Sequence, residues 1–434
     1  MRRDRFPRLL AALFCAVLSM LFFAALTAPN LTAQDKITRA GWGESVGFKP
    51  DLASIPDFKA GMTIDASNMA TYADFLAEPV KMLMQDYKLT VVTKDYIPYA
   101  PSDGYIAATN QYRGKSSLVD IGPATDKEGL AGYVAGLPFP APENARQVAW
   151  NFYNAYSGDD GQHEFGVYWI DAKRGVEREE RWRWTVMQAI NRTDIAPKPT
   201  VSSLNGKKIE AASITETLYP LDRKGQMALY FIYQGPGHRE GWLYVPSQKR
   251  TFRFSSDNHG EPWNNTDLYY EDIRGYSGRP EWMEWTIVKK TTMFAPVDAE
   301  VEYGPEAAEK TYDMKTWPHW NPNLKWQPRP VYVMQLTPKL KGYPYSKQLL
   351  YIDAESFYPF AKLAYDRKGN PWKVVIAATN QSPDPTSKPP TIATAFVVDL
   401  QSEHATLFPW FTNQANVGVD PNIFSLTTLR KKMR

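Results

Sequence analysis

The sequence holds a single cysteine, five histidines and almost no charge imbalance among its 434 residues. A formal net charge of +3 leaves no basic excess to meet phosphates, so no nucleic-acid partner is expected. The histidines (His163, His238, His259, His319 and His404) are dispersed with no two at ligand spacing on one element, and no metal or other cofactor is expected. Cys15 lies in an N-terminal apolar run behind Phe14, which is not the small residue that a lipoprotein signal needs there. A chain without that run has no thiol nucleophile and no disulfide. Beyond Leu26 no apolar stretch is long enough to cross a membrane as a helix.

Catalytic signatures are also missing. Gly275-Tyr-Ser-Gly-Arg279 approaches a nucleophile elbow, but Arg279 takes the last glycine position. Glu240 spoils the dinucleotide pattern of Gly235–Gly241, and Thr109 stands where a phosphate loop ending in Gly114-Lys115-Ser116 needs glycine. Among the acid pairs, Glu271 and Asp272 are flanked by Tyr269, Tyr270 and Ile273 and are the best acid–base candidates. Read as a strand, they point to opposite faces, and a partner such as Glu240 or Asp353 would have to come from elsewhere. No catalytic residue is assigned, and a secreted hydrolase ranks lowest of the functional readings.

The first 33 residues read as an export signal. Arg2, Arg3, Arg5 and Arg8 precede the apolar run Leu9–Leu26, and Ala28–Ala33 is small and polar. Cleavage is expected after Ala33, with a retained anchor as the other reading. The expected location is the periplasm, or the periplasmic face of the outer membrane. Residues 34–65 read as an irregular arm and 66–434 as one β-rich domain. Helices are expected near 67–86, broken or kinked at Pro79, and near 143–157, where Ala149, Trp150, Phe152, Tyr153 and Tyr156 share a face. Residues 87–136 read as extended.

What the sequence has in excess is aromatic residues, 14 Trp, 25 Tyr and 20 Phe, together with 34 Pro. From Gln162 to about Gln381 the apolar period is two, which predicts strands separated by turns such as Asp222–Gly225 and Asp366–Gly369. Trp182 and Trp184 alternate with Arg181 and Arg183, and Phe252 and Phe254 with Thr251 and Arg253. With Trp242 and Tyr244 these pairs suggest one continuous apolar sheet face. Such a face either fills a large core or lines a cavity for a greasy ligand. The cavity version would use Trp150, Trp182, Trp184, Trp242, Tyr244, Phe252, Phe254 and Trp285. An adaptor protein is the competing reading, with exposed anchors expected in Glu261–Gly278 and Trp317–Trp326, Trp320 among them.

Several segments together resemble domain-of-unknown-function family 1329 of bacterial envelope proteins. They are Ala135–Ala145 leading into Trp150-Asn151, Gly241–Pro246 with Arg250 and Arg253, and Glu271-Asp272 with Tyr276–Pro280. Ala295-Pro296, Tyr343–Lys347, Tyr351–Asp353, and Tyr365–Arg367 with Trp372-Lys373 complete the set. The resemblance runs from about Asp65 to the C-terminus and implies a lipoprotein-carrier-like fold. That fold is α+β and mainly β, a large curved antiparallel half-barrel sheet with covering helices. It also implies hydrophobic cargo moving through the envelope, with a lipid or lipoprotein acyl chain as the expected ligand and an exporter of the resistance-nodulation-division class or an outer-membrane protein as the expected partner. The exported protein should begin at Gln34 by intact mass, whereas a mass that retains residues 1–33 would show an uncleaved anchor.

Overall fold

A computed structural model describes residues 36–120, 129–235, 239–255 and 260–431. The expected export signal, His238 and His259 lie outside the described residues. The period-two segments become strands of one 15-stranded sheet. In chain order they are β1 (Thr63–Ile64), β2 (Val91–Thr93), β3 (Asp160–Asp171), β4 (Gly175–Gln188), β5 (Ile209–Tyr219), β6 (Met227–Tyr233), β7 (Arg239–Val245) and β8 (Arg250–Ser255). The second half supplies β9 (Met283–Ala295), β10 (Lys325–Pro338), β11 (Lys347–Asp353), β12 (Pro359–Tyr365), β13 (Pro371–Asn380), β14 (Thr391–Asp399) and β15 (His404–Ala415).

The topology is two antiparallel meanders, β3 to β8 and β10 to β15, joined where β15 pairs with β3. β9 extends the sheet beyond β10, and β2 runs parallel to the beginning of β10. Among the described residues β8 and β9 do not pair with each other, so the sheet stays an open half-barrel. β-Bulges at Trp169/Ile170, Arg181/Trp182, Ala364/Tyr365 and Trp410/Thr412 give it the local bends that curvature needs. The mainly β, antiparallel half-barrel expected from the sequence is therefore present.

Apolar residues on both faces require cover on both. The back face of β10–β15 carries Leu363, Val374, Val398 and Leu407 and packs against Leu76, Val80, Leu83 and Met84 of α1 (Glu78–Tyr87) and the turn before it. The back face of β5–β7 carries Ile214, Leu229 and Tyr244 and packs on Phe424 and Leu429 near the C-terminus. Pro79 does not break a helix; it sits in the first turn of α1, where its missing N–H costs nothing. The stretch expected to be extended contains α2 (Asp103–Tyr112), started by Ser102 accepting the Tyr105 N–H at 3.1 Å. α3 (Ala145–Tyr153) falls inside the expected second helix, capped by Asn144, which accepts the Gln147 N–H at 3.1 Å. Asn151 on α3 grips the proline-rich lead-in at both polar groups of Phe139, at 3.0 and 2.8 Å.

Of the exposed anchors expected in Trp317–Trp326, only Trp317 is at the surface. Trp320 and Trp326 are 0% exposed, and Trp317 keeps 42%. The prolines exclude this segment from a central ladder but not from the core. It folds under the C-terminal end of α1, where Asn321 Nδ2 donates to the Tyr87 carbonyl at 2.7 Å and Trp320 lies 5.1 Å from the Tyr87 ring. Trp320→Ala should cost about 3–5 kcal/mol in urea unfolding, and Trp317→Ala less than about 1 kcal/mol.

Candidate functional site

The front face of the sheet carries an aromatic strip. Register sets Trp182 on β4 beside Phe165 on β3, and Phe165 beside Trp410 on β15. Val167 and Phe408 continue it, and Val375 and Val397 extend it into the second meander. The cover is a long connection, residues 260–282, that precedes β9 and is built from short 3-10 turns. Trp263, Leu268, Tyr270 and Ile273 from this strap rest on the strip, with the Trp263 ring 5.3 Å from Trp182. Pro262, Gly275, Gly278 and Pro280 keep the strap from forming a helix or strand. At Gly278 a Cβ would fall 2.3 Å from the Tyr276 hydroxyl, which needs that space to donate to the Arg279 carbonyl at 2.9 Å.

Polar contacts fasten the strap along its length. Asn264 Nδ2 donates to Glu180 Oε2 at 3.2 Å, and the buried Glu180 also pairs with Arg178 and Arg223. Trp169 Nε1 donates to the Asn265 carbonyl at 2.8 Å. Asp267 accepts from the Thr406 hydroxyl at 2.7 Å and sits 2.7 Å from His404 Nδ1, while Lys373 Nζ reaches its carbonyl at 2.7 Å. Asp272 pairs with Lys362, a lysine buried in the middle of β12, and accepts from the Tyr345 hydroxyl at 2.7 Å. Glu271 accepts from the Tyr343 hydroxyl at 2.6 Å. Arg279 closes the far end, donating to Glu210 at 2.9 Å and to the Tyr233 carbonyl at 2.8 Å.

Burial pushes the Lys362 ammonium below the usual lysine range, against the pull of the Asp272 carboxylate. The Tyr343 and Tyr345 hydroxyls are pushed well above theirs, first by burial and then by the adjacent carboxylates. Glu271 and Asp272 therefore do not sit on a strand. They occupy a 3-10 turn, Tyr270–Asp272, and both carboxylates are engaged by tyrosine hydroxyls. The Glu261–Gly278 segment, expected as an exposed interface, is this buried strap, with Trp263, Tyr269 and Tyr276 all inside.

The eight aromatic candidates do not share one face. Trp184 is opposite Thr215, then Ala228, Leu243 and Phe252 in successive strands, so Trp182, Trp184 and Phe252 belong to the front. The backbone of Phe254 pairs with Gly241. Trp242 is opposite Leu229 and Tyr244 opposite Met227, which puts both on the back face under the C-terminal cover. Phe252 is 42% exposed on the edge strand β8. Trp285 stands on the front face at the β9 end, with Phe152 of α3 at 5.9 Å and Tyr276 at 5.8 Å. Trp150 and Trp285 meet at a separate cavity of about 180 Å³ between α3 and the start of β9. Among the described residues no group of three His, Cys, Asp or Glu is placed to hold a metal, and no helix is long and apolar enough to cross a membrane.

Sequence reasoning passed over Phe165, Trp410, Trp263 and Lys362. A signal for the last was present: a lysine between Ala361 and Leu363 in an otherwise apolar strand calls for a buried carboxylate.

A half-barrel whose aromatic face is closed by its own strap is the class of protein that this geometry defines. Over residues 63–430 the chain matches the family described as protein of unknown function (DUF1329), and it belongs to that family. It is 23% identical to uncharacterized protein PA3922 of Pseudomonas aeruginosa, over 84% of this chain and 78% of that one. A Vibrio parahaemolyticus domain described as outer membrane lipoprotein-sorting is 19% identical with a TM-score of 0.47, over 66% of this chain and 98% of that one. A DUF1329 family protein from Desulfovibrio piger is 16% identical with a TM-score of 0.46, over 66% and 97%.

Two histidines give opposite pH dependences. Burial lowers the His404 pKa, but hydrogen bonds and charge from Asp267 and Glu177 outweigh it and the net shift is upward. The stability from this tether is thus complete below the unfolded value of about 6.5 and fades as pH rises through the higher folded value. His163, buried on β3, is pulled down to about 4 by desolvation. Its contribution is complete above about 6.5 and is lost as pH falls toward the folded value. Melting temperature should therefore peak near neutral pH. His404→Gln should flatten the alkaline limb and His163→Phe the acid limb.

Proposed function

We propose that this protein is a periplasmic carrier or binding protein for a hydrophobic ligand, a lipid or a lipoprotein acyl chain, seated on the front-face strip where the strap now lies. The observation that carries this reading is the division of labour in the cover. Trp263, Leu268, Tyr270 and Ile273 fill the apolar contact, whereas charged and hydrogen-bonded groups hold the strap in place. An acyl chain can replace the apolar contacts at roughly 25 cal/mol per Å² of area removed from water, and the polar anchors can re-form or be solvated. Trp182 and Trp184 would then contact ligand directly, with Phe252 toward the open edge. Trp242 and Tyr244 would support the sheet from behind.

The adaptor reading is weaker, because Trp320, Trp326 and Tyr276 are buried and Trp317 alone of the expected tryptophan anchors remains exposed. The hydrolase reading is weaker still, since Glu271 and Asp272 are engaged in fastening the strap. The family resemblance adds a resistance-nodulation-division exporter or an outer-membrane protein as the partner that would supply or receive cargo.

Asp267→Ala removes the anchor shared by His404 and Thr406, and it should raise the affinity for a fluorescent fatty-acyl probe several-fold. Trp182→Glu should abolish binding while far-ultraviolet circular dichroism stays unchanged. Absence of probe binding in both the wild type and Asp267→Ala, with no lipid in an organic extract of the purified protein, would overturn the proposal.

A further inference from the structure

The cavity of about 180 Å³ beside α3 has a different chemistry from the aromatic strip. Its apolar walls include the indoles of Trp150 and Trp285 and the thioether of Met283. Glu281, in the 3-10 turn Pro280–Trp282 at the end of the strap, also lines it and is 5% exposed. One oxygen of that carboxylate, Oε1, accepts the Gly129 N–H at 2.9 Å. The other, Oε2, is buried and has no hydrogen-bond partner among the described residues. A Cβ at Gly129 would meet Glu281 Cγ at 3.3 Å and Trp150 Nε1 at 3.7 Å, so the glycine lets the Glu281 side chain and the Trp150 indole edge pack side by side.

A buried carboxylate oxygen without a donor is costly, and the cavity that Glu281 lines can supply one once the side chain turns toward it. The walls bring three carboxylates, Asp120, Glu281 and Glu284, against the two cations Arg146 and Lys339. That balance disfavours an anion. No group of three metal-ligating side chains lies among the described residues, which disfavours a divalent cation. A neutral apolar ring would fill the volume but leave Oε2 without a donor. The volume is slightly larger than an engineered apolar cavity of roughly 150 Å³ that holds benzene, so the occupant is ring-sized and not a whole acyl chain.

We propose that this cavity binds a small protonated primary amine. Its ammonium donates to Glu281 Oε2 and its apolar body rests against Trp150 and Trp285, whose electron-rich faces also favour a cation. The site does not depend on the carrier reading, because it lies apart from the strip that the strap covers.

Benzylamine and benzyl alcohol, equal in shape and different in charge, test this by isothermal titration calorimetry on the mature chain at pH 7. Benzylamine should bind saturably and at least about tenfold tighter than the alcohol, a difference of about 1.4 kcal/mol. Glu281→Gln should erase that preference while leaving the melting temperature within a few degrees. Equal binding of the two ligands to the wild type, no saturable binding of the amine, or an unchanged preference in Glu281→Gln would each overturn the proposal. The wild-type comparison decides the matter even if the variant does not fold.

Discussion

The arrangement of the front face turns on the ammonium of Lys362. It stands in the middle of β12, on the same side as Val375 and Val397, with its side chain almost wholly out of solvent. A charge in that position needs a carboxylate and further hydrogen bonds, since desolvation alone costs several kcal/mol. The carboxylate comes from Asp272, nearly a hundred residues earlier in the chain, and Asp272 sits on the strap. The pair therefore sets where the strap lies along the strip. Tyr345 bonds the second oxygen of Asp272, and its ring also lies 5.0 Å from Lys362 Nζ. Tyr343 holds the neighbouring Glu271 from the same loop. Removing one member of the pair leaves the other buried and uncompensated, so the two residues act as one element.

This explains why the two faces are covered differently. On the back, α1 and the C-terminal segment present apolar residues at helical or turn spacing, and α1 adds directed bonds at its two ends, from the Glu78 N–H to the Tyr351 hydroxyl at 3.1 Å and from Asn321 to the Tyr87 carbonyl at 2.7 Å. On the front the cover carries many directed contacts along its length: Asn264 to Glu180, Asp267 to His404 and Thr406, Asp272 to Lys362, Arg279 to Glu210. Directed contacts specify position, whereas their net contribution to stability is small compared with their gross strength.

Much of the fold was legible because its signals are local. Alternation in Glu177–Met187 and the doubly apolar run Met227–Tyr233 marked strands, and the aromatic face within 143–157 marked a helix. Which side of the sheet each aromatic takes was not legible. Trp182 sits in a clean alternation and Trp242 in a run apolar on both faces, and the register across β4 to β7 that separates them is a long-range property. Pro-rich segments misled in the same way. Proline excludes Trp317–Trp326 from a ladder, and only tertiary packing on Tyr87 shows that the segment is core. Helix α2 was hidden by Gly104, Asn110 and the prolines before it, and its Ser102 cap was its one local mark. The strap was legible as a family motif, Glu271-Asp272 with Tyr276–Pro280, and not as a shape, because its partners Lys362, Tyr343, Tyr345 and Glu210 are scattered through the chain.

A ligand for the front face would compete with the protein's own chain. Its apparent affinity equals its intrinsic affinity reduced by the fraction of molecules whose strap is open. In such a carrier tight fastening would keep the aromatic strip out of water when empty, which would limit aggregation, at the cost of weaker net binding. The polar character of the fastening bears on that trade. Apolar contacts are lost gradually as the strap lifts, but ion pairs and hydrogen bonds can be exchanged for water or for a partner's groups at nearly constant free energy. The anchor at Asp267 is the most accessible of them, because His404 and Glu177 lie near the rim while Lys362 and Asp272 do not. Opening by such a route would begin at the His404 end and leave the Asp272–Lys362 pair as the hinge about which the strap turns.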